Sequence, residues 1–235
     1  IATAVLYLYF YVTKASLLLD ADMSSEMILA DILTKEHSII SKNWFYSTEL
    51  RFLNNQLIFG FFLLFGHNYH LSRILSGITL MAIMLFSYWR TYLCHRITLL
   101  DIAFVTAPIL LLPFSNVYSY TVLLGLYYIP HITISFFSMG LVFSVENKDS
   151  FIKKRNTCFI LCILSLLAGI GGPRQIIIFY LPLLMAGLFR CYQTKKLSFI
   201  SIYFAFISSC IGYLINSKVL IKSYKYNNWS GFSYE

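Results

Sequence analysis

The chain alternates between long apolar runs and short polar connections. A helix that crosses a bilayer needs about 20 mostly apolar residues, and several runs approach or exceed that length. They predict an all-α polytopic membrane protein with about seven transmembrane helices. The predicted spans are residues 1–19, 71–93, 98–114, 119–145, 157–171, 175–190 and 197–216.

One apolar segment, residues 52–66, does not fit this series. It is shorter than a span and carries the polar side chains Asn54, Asn55 and Gln56. Its length is typical of an interfacial or re-entrant helix. We therefore expect this segment not to cross the membrane.

The charges of the connections support that expectation. If 52–66 does not span, three basic connections share one side, and the positive-inside rule makes that side cytoplasmic. If 52–66 did span, the first of these connections would face away from the other two. Their nine cations are Arg90, Arg96, Lys148, Lys153, Lys154, Arg155, Arg190, Lys195 and Lys196.

The opposite, outer side then receives the long loop 20–70, the connections 113–119 and 171–174, and the tail from Asn216. The two short outer connections hold only Arg174 among Lys and Arg. These separated stretches, each with polar residues, therefore converge on one aqueous face.

Composition agrees with a membrane protein. Hydrophobic residues make up 58% and charged residues 12% of the chain, against about 25% charged in a soluble domain. The net charge of +8 fits cytoplasmic loops, and no basic face suited to a nucleic-acid groove is present, so nucleic acid is not an expected partner. We interpret residues 1–235 as a single transmembrane domain, the membrane part of a longer protein.

The outer loop 20–70 is predicted to lie along the membrane surface. Met23, Met27, Ile28 and Ile32 recur at helical spacing and predict a short amphipathic helix over 23–33, with Ser24 or Ser25 as its cap. The aromatic run 44–46 is typical of an interfacial belt.

Asp20 and Asp22 follow directly after the first apolar run. Acids are costly in hydrocarbon, so a pair at a membrane boundary indicates a functional site. A carboxylate there could act as a general base, and two carboxylates could hold a divalent cation. The alternative is a solvated helix end.

Candidate anion-binding residues follow in two places. Arg51, with Lys42 weaker and Glu49 as its pairing partner, lies in the outer loop, where a guanidinium can grip a phosphate. Arg174 follows a glycine-rich turn at the start of a predicted helix, whose N-terminal amides favour an anion. The alternatives are a headgroup contact for Arg51 and an ordinary tight turn at Arg174.

The five cysteines are Cys94, Cys158, Cys162, Cys191 and Cys210. They indicate neither a disulfide framework nor a zinc site. Cys158 and Cys162 lie one helical turn apart in an apolar segment, and we expect these two to be small buried side chains.

Two stretches resemble the GT-C superfamily of membrane glycosyltransferases, in particular its protein mannosyltransferase and aminoarabinose transferase branch. Asp20-Ala21-Asp22 is similar to the acidic motif after the first span. The stretch 64–68 followed by Leu71-Ser72-Arg73 is similar to the segment that leads into the second span.

The resemblance implies transfer of a sugar from a polyprenyl-phosphate donor to a glycan, lipid or protein acceptor at the outer face of a bacterial plasma membrane. Asp20 would match the catalytic carboxylate and Asp22 a supporting or metal-binding acid. Arg51 and Arg174 would lie near the donor phosphate. It also implies that the outer loop carries short interfacial helices and that 52–66 does not span.

The sequence is also compatible with two other function classes. A transporter or lipid flippase would place charges at mid-membrane and use broken helices, and a non-catalytic scaffold needs no clustered acids. The chain contains no phosphate-binding P-loop, no Gly-x-Ser-x-Gly and no His-Glu-x-x-His motif, so nucleotide hydrolysis and zinc proteolysis are not expected.

Overall fold

The computed structural model is mostly helical and describes most of the chain. Among the described residues, five helices are long and apolar enough to cross a membrane, which supports an integral membrane protein. They are Tyr69–Thr91, Ile129–Glu146, Phe151–Gly171, Ile176–Thr194 and Ile200–Lys222. The described residues are 2–14, 19–46, 50, 52–66, 68–93, 98, 100–101, 106–107, 116–146, 151–195 and 199–226.

The described residues contain eight α-helices of 12 or more residues and two short strands. The helices are α1 (Ala2–Lys14), α2 (Ala21–Glu36), α3 (Asn55–Gly66), α4 (Tyr69–Leu93), α5 (Ile129–Glu146), α6 (Phe151–Gly171), α7 (Leu181–Thr194) and α8 (Ile200–Lys218). The strands are β1 (Phe45–Tyr46) and β2 (Lys225–Tyr226). The chain forms two compact units, of which unit 1 is Ile1–Ser38 with Asn54–Gly140, and unit 2 is Ile39–Leu53 with Leu141–Glu235.

The predicted span 119–145 is wrong in its first part. Residues Ser119–Leu124 form a π-helical turn, and the chain is interrupted at 125–128 before α5 begins. Leu126 adopts the left-handed region with a φ of 62°, which a continuous helix does not allow. Pro130 then lies in the first turn of α5, where its missing N–H removes no helical hydrogen bond.

Two apolar helices, α1 and α3, are shorter than the length needed to cross a bilayer. Helix α3 has 12 residues, so it is too short to cross a bilayer, as expected for 52–66. Helix α1 has 13 residues, and residues 15–18 of the predicted first span lie outside the described residues. Most of the predicted span 98–114 also lies outside them.

The core of unit 1 joins α1 to α4. Tyr7 and Tyr11 of α1 pack against Leu80, Met81 and Met84 of α4. Gly77 allows this close approach, because a Cβ at that position would lie 2.0 Å from the Tyr11 hydroxyl. The hydroxyl of Tyr11 donates to the carbonyl oxygen of Arg73 at 3.3 Å. This packing places the start of α4 beside α1.

Helix α2 differs from its prediction in both its cap and its buried face. Its N-cap is Asp20, not Ser24 or Ser25, because a carboxylate one residue before the first turn accepts directly from its free N–H groups. The buried face contains Glu26 together with apolar residues, whereas the predicted apolar residue Ile28 is exposed. Ala30 on this face packs against Phe59 and Leu63 of α3.

Two glycines set the packing of unit 2. A Cβ on Gly169 of α6 would lie 2.0 Å from the carbonyl oxygen of Ser209, and a Cβ on Gly212 of α8 would lie 2.1 Å from that of Leu166. The two helix backbones are therefore in direct contact, as small residues permit in membranes. Asn216 closes the interface by donating from its Nδ2 to the carbonyl oxygen of Ile170 at 2.5 Å.

A two-stranded parallel sheet, which the sequence did not predict, joins the outer loop to the tail. Phe45 pairs with Lys225 and Tyr46 with Tyr226. Tyr46 is buried and its hydroxyl accepts from the backbone N–H of Ser41 at 3.0 Å, so its assignment to an aromatic belt is wrong. The pairing requires both segments to lie on one side of the membrane, which agrees with the charge-based assignment of this loop and the tail to the same face.

Candidate functional site

Asp20 is held at the N-terminus of α2. Its Oδ1 accepts from the backbone N–H of Met23 at 2.7 Å. Its carbonyl oxygen accepts from both the N–H and the hydroxyl of Ser24, at 3.0 Å and 2.7 Å. These bonds fix the direction of the carboxylate, and the positive end of the helix dipole stabilises its charged form.

Tyr127 provides a second contact to the same carboxylate. Its hydroxyl donates to Asp20 Oδ1 at 2.6 Å, and the interruption before α5 is what carries Tyr127 to this position. Burial, followed by the hydrogen bond to Asp20 and the nearby charges of Glu26 and Asp22, raises the pKa of Tyr127. The Tyr127 hydroxyl therefore stays protonated at neutral pH and donates its hydrogen bond to Asp20.

A polar cleft of about 40 Å³ lies within unit 1 and is lined by parts of α2, α3 and α4. Five polar side chains that line it are almost fully buried, among them Glu26, Asn55 and Arg73 with exposed fractions of 6%, 8% and 8%. Gly125 and Leu126, from the interruption before α5, complete the wall. Buried groups of this kind are costly unless they are paired or bind a ligand.

Glu26 and Asn55 bond to each other across the cleft. The Nδ2 of Asn55 donates to Glu26 Oε2, which joins α2 to α3. The Oδ1 of Asn55 has no hydrogen-bond partner among the described residues. This amide oxygen is therefore available to a donor group on a ligand or a water molecule.

Arg73 is the cation of this cleft. Its Nη2 donates to the sulfur of Met23 at 3.0 Å, a weak acceptor. Within the part of the chain that the structure describes, no carboxylate oxygen lies within 4.0 Å of the guanidinium. A buried guanidinium without an anion is unfavourable, so the cleft is suited to an anionic group.

The other residues predicted for the site do not all belong to the unit that contains Asp20. Asp22 lies exposed in the first turn of α2. Lys42 is exposed and Arg174 is half-buried, and both belong to unit 2. Arg51 and Glu49 lie outside the described residues. The expected convergence of Asp20 with the arginines of other loops therefore stays a prediction.

The glycine-rich turn before Arg174 has the local form that the sequence predicts. Gly172 has a φ of 143°, a backbone conformation that glycine adopts at low cost. Pro173 follows, and the helical stretch begins at Arg174. The structure thus places Arg174 at a helix N-terminus, as expected.

The possible cation site rests on Asp20 and Asp22 alone. Among the described residues, no group of three or more His, Cys, Asp or Glu side chains is placed to hold a metal ion. A cation bound here would need its other ligands from water or from a substrate phosphate.

Sequence reasoning missed Glu26, Asn55 and Tyr127. Glu26 is three residues after Met23 and four before Ala30, so its spacing places it on the apolar face of α2. A carboxylate on that face was a detectable signal of a buried polar site. Nothing local marks Tyr127, because it reaches Asp20 across more than a hundred residues of chain.

A comparison of this chain with known proteins found no matching protein family, no matching curated protein and no matching solved structure.

Proposed function

We propose that this protein is a glycosyltransferase that moves a sugar from a polyprenyl-phosphate donor to a glycan, lipid or protein acceptor at the outer face of the membrane. The observation that carries the proposal is the buried Arg73, which has no carboxylate partner among the described residues and lies in a cleft beside Glu26. Arg73 is the fifth residue of α4, near one end of this membrane helix, a depth at which the phosphate of a membrane-embedded donor would lie.

In this proposal Asp20 acts on the acceptor and Arg73 acts on the leaving phosphate. Asp20 accepts the proton from the acceptor hydroxyl or amine as that atom forms a bond to the anomeric carbon. The bond between the anomeric carbon and the phosphate oxygen breaks, and its electron pair leaves with the polyprenyl phosphate. Arg73 stabilises the charge on that leaving phosphate.

The hydrogen bonds of Asp20 orient its carboxylate. Oδ1 accepts from Met23 and from Tyr127. Asp22 supports this carboxylate or, with it, holds a divalent cation. The roles of Arg51, Arg174, Lys42 and Glu49 at the phosphate rest on the family resemblance.

The test uses the whole chain with farnesyl phosphate as a short polyprenyl-phosphate probe. Arg73→Met keeps an apolar stem beside Met23 and removes the cation, so we expect loss of most farnesyl phosphate binding, measured by thermal stabilisation in detergent. Lys218→Ala removes an exposed cation at the end of α8 and serves as the matched control. Binding that survives Arg73→Met and falls with Lys218→Ala would overturn the assignment of Arg73.

One observation favours a transporter or lipid flippase as the second candidate. The helix that leads into α5 is discontinuous, and Gly125 and Leu126 of the interruption line the polar cleft. Transporters use such interruptions at their binding sites. Reconstituted liposomes separate the two functions, because a flippase moves the intact lipid between leaflets whereas a transferase releases the free polyprenyl phosphate from a sugar-loaded donor.

A further inference from the structure

A second and larger cleft lies in unit 2, at the end that carries the basic residues of α6. It has a volume of about 740 Å³ and lies between the end of α5, the first turns of α6 and the first turns of α8. Nothing in the proposed sugar transfer uses it. Its size is in the range of ligand-binding clefts.

The charge of this cleft is positive. Lys154 and Arg155 line it together with the single carboxylate of Glu146. Neither cation has an ion-pair partner among the residues that the structure describes. An anion bound there would gain from both cations, and the guanidinium can bind a phosphate through two N–H groups.

A buried hydroxyl with no hydrogen-bond partner also lines the cleft. Ser201 is 3% exposed, and its Oγ has no partner among the described atoms. It is the second residue of α8, so the free N–H groups of that helix end lie close to it and favour an anion. A buried hydroxyl of this kind is satisfied when it donates to an acceptor oxygen.

The remaining wall is apolar. Phe159, Cys158 and Phe204 line it, and they belong to α6 and α8, two of the helices long enough to cross a membrane. Cys158 and Cys162 are half-exposed here, so the expectation that they are buried is wrong. The cleft thus offers a polar, positive end and an apolar side.

We propose that this cleft binds an anionic phospholipid of the bilayer, with its phosphate at Lys154, Arg155 and Ser201 and an acyl chain along Phe159 and Phe204. The charge complementarity argues for this occupant, because anionic lipids are attracted to basic residues at the ends of spanning helices. The apolar side excludes a free anion as the natural ligand, since it would remain uncovered.

The experiment uses the full chain and dioleoyl phosphatidylglycerol, with dioleoyl phosphatidylcholine as the neutral lipid. Native mass spectrometry counts the lipid molecules that stay bound. We expect one phosphatidylglycerol per chain to bind about 10-fold more weakly in the Lys154→Gln, Arg155→Gln double variant. Ser201→Ala should weaken binding by about 10-fold or more, the effect of one hydrogen bond to a charged group.

Lys153→Gln is the matched control, because Lys153 is exposed and adjacent but does not line the cleft. It should bind phosphatidylglycerol like the original chain. The proposal is overturned if the double variant retains the lipid, if Lys153→Gln loses it equally, or if phosphatidylcholine displaces it at equal concentration. Gel filtration of each variant verifies that it is folded.

Discussion

Asp20 has two hydrogen-bonding functions that can be separated by substitution. It caps α2 through Met23, and it accepts from Tyr127. Asparagine caps a helix about as well as aspartate does, but it carries no charge and is not a base at neutral pH. The two functions therefore predict different results for Asp20→Asn and Asp20→Ala.

For Asp20→Asn we expect a loss of sugar transfer of about 10²-fold to 10⁴-fold, the usual contribution of a general base. Its stability should fall only slightly, because the amide oxygen can still accept from Met23 and Tyr127. For Asp20→Ala we expect the same loss of transfer and a larger loss of stability, about 0.5–2 kcal/mol from the missing cap and about 1.5–3 kcal/mol from the lost hydrogen bond of Tyr127. Transfer assays and thermal unfolding measure these effects. Retained transfer in Asp20→Asn would reject Asp20 as the base.

Tyr127→Phe tests the contact between the interruption and α2. It removes one hydrogen bond to a charged acceptor, which contributes about 1.5–3 kcal/mol. We expect a lower free energy of unfolding, measured by denaturant titration in detergent. Tyr9→Phe, at an exposed tyrosine of the same unit, is the control and should leave stability unchanged. Equal effects of the two variants would contradict a specific role for the Tyr127 hydroxyl.

At the scale of elements, the length of the apolar runs predicted the long helices, whereas the buried polar contacts were not predicted. The positions of the five long helices follow from runs of apolar residues, because a spanning helix satisfies all its backbone hydrogen bonds internally. The interruption at 125–128 could not be read in this way, since it contains no charged residue that would end the apolar run. The buried cleft escaped prediction because Glu26, Asn55 and Arg73 meet only through tertiary packing.

The interface of α6 and α8 gives a test at this scale. Gly169→Ala and Gly212→Ala each force a methyl group against a backbone carbonyl oxygen, so we expect a loss of about 1–3 kcal/mol, the cost typical of overpacking. Thermal unfolding of the purified protein measures this loss. A methyl group on Gly171 would meet nothing within 4 Å, so Gly171→Ala should be neutral. A neutral Gly169→Ala would show that the helices are farther apart than described.

At the scale of the whole molecule, the charge pattern predicts which residues face the outside of the cell. Lys42 belongs to the predicted outer loop and Gln193 to a basic connection, and both are exposed. A membrane-impermeant maleimide should label Lys42→Cys in intact cells, and Gln193→Cys only after the membrane is opened. The unsubstituted chain gives the background from its own cysteines. Labelling of Gln193→Cys in intact cells would reverse the topology and remove the outer-face proposal.

The direct backbone contact between α6 and α8 constrains how the protein is made. These helices are not neighbours along the chain, because α7 is synthesised between them. While α7 emerges from the ribosome, α6 sits in the bilayer with its glycine face uncovered and the carbonyl oxygen of Ile170 still lacking Asn216. Assembly of this pair is thus a late event that must wait for almost the last described residues, and premature termination before α8 would leave α6 open to association with other helices.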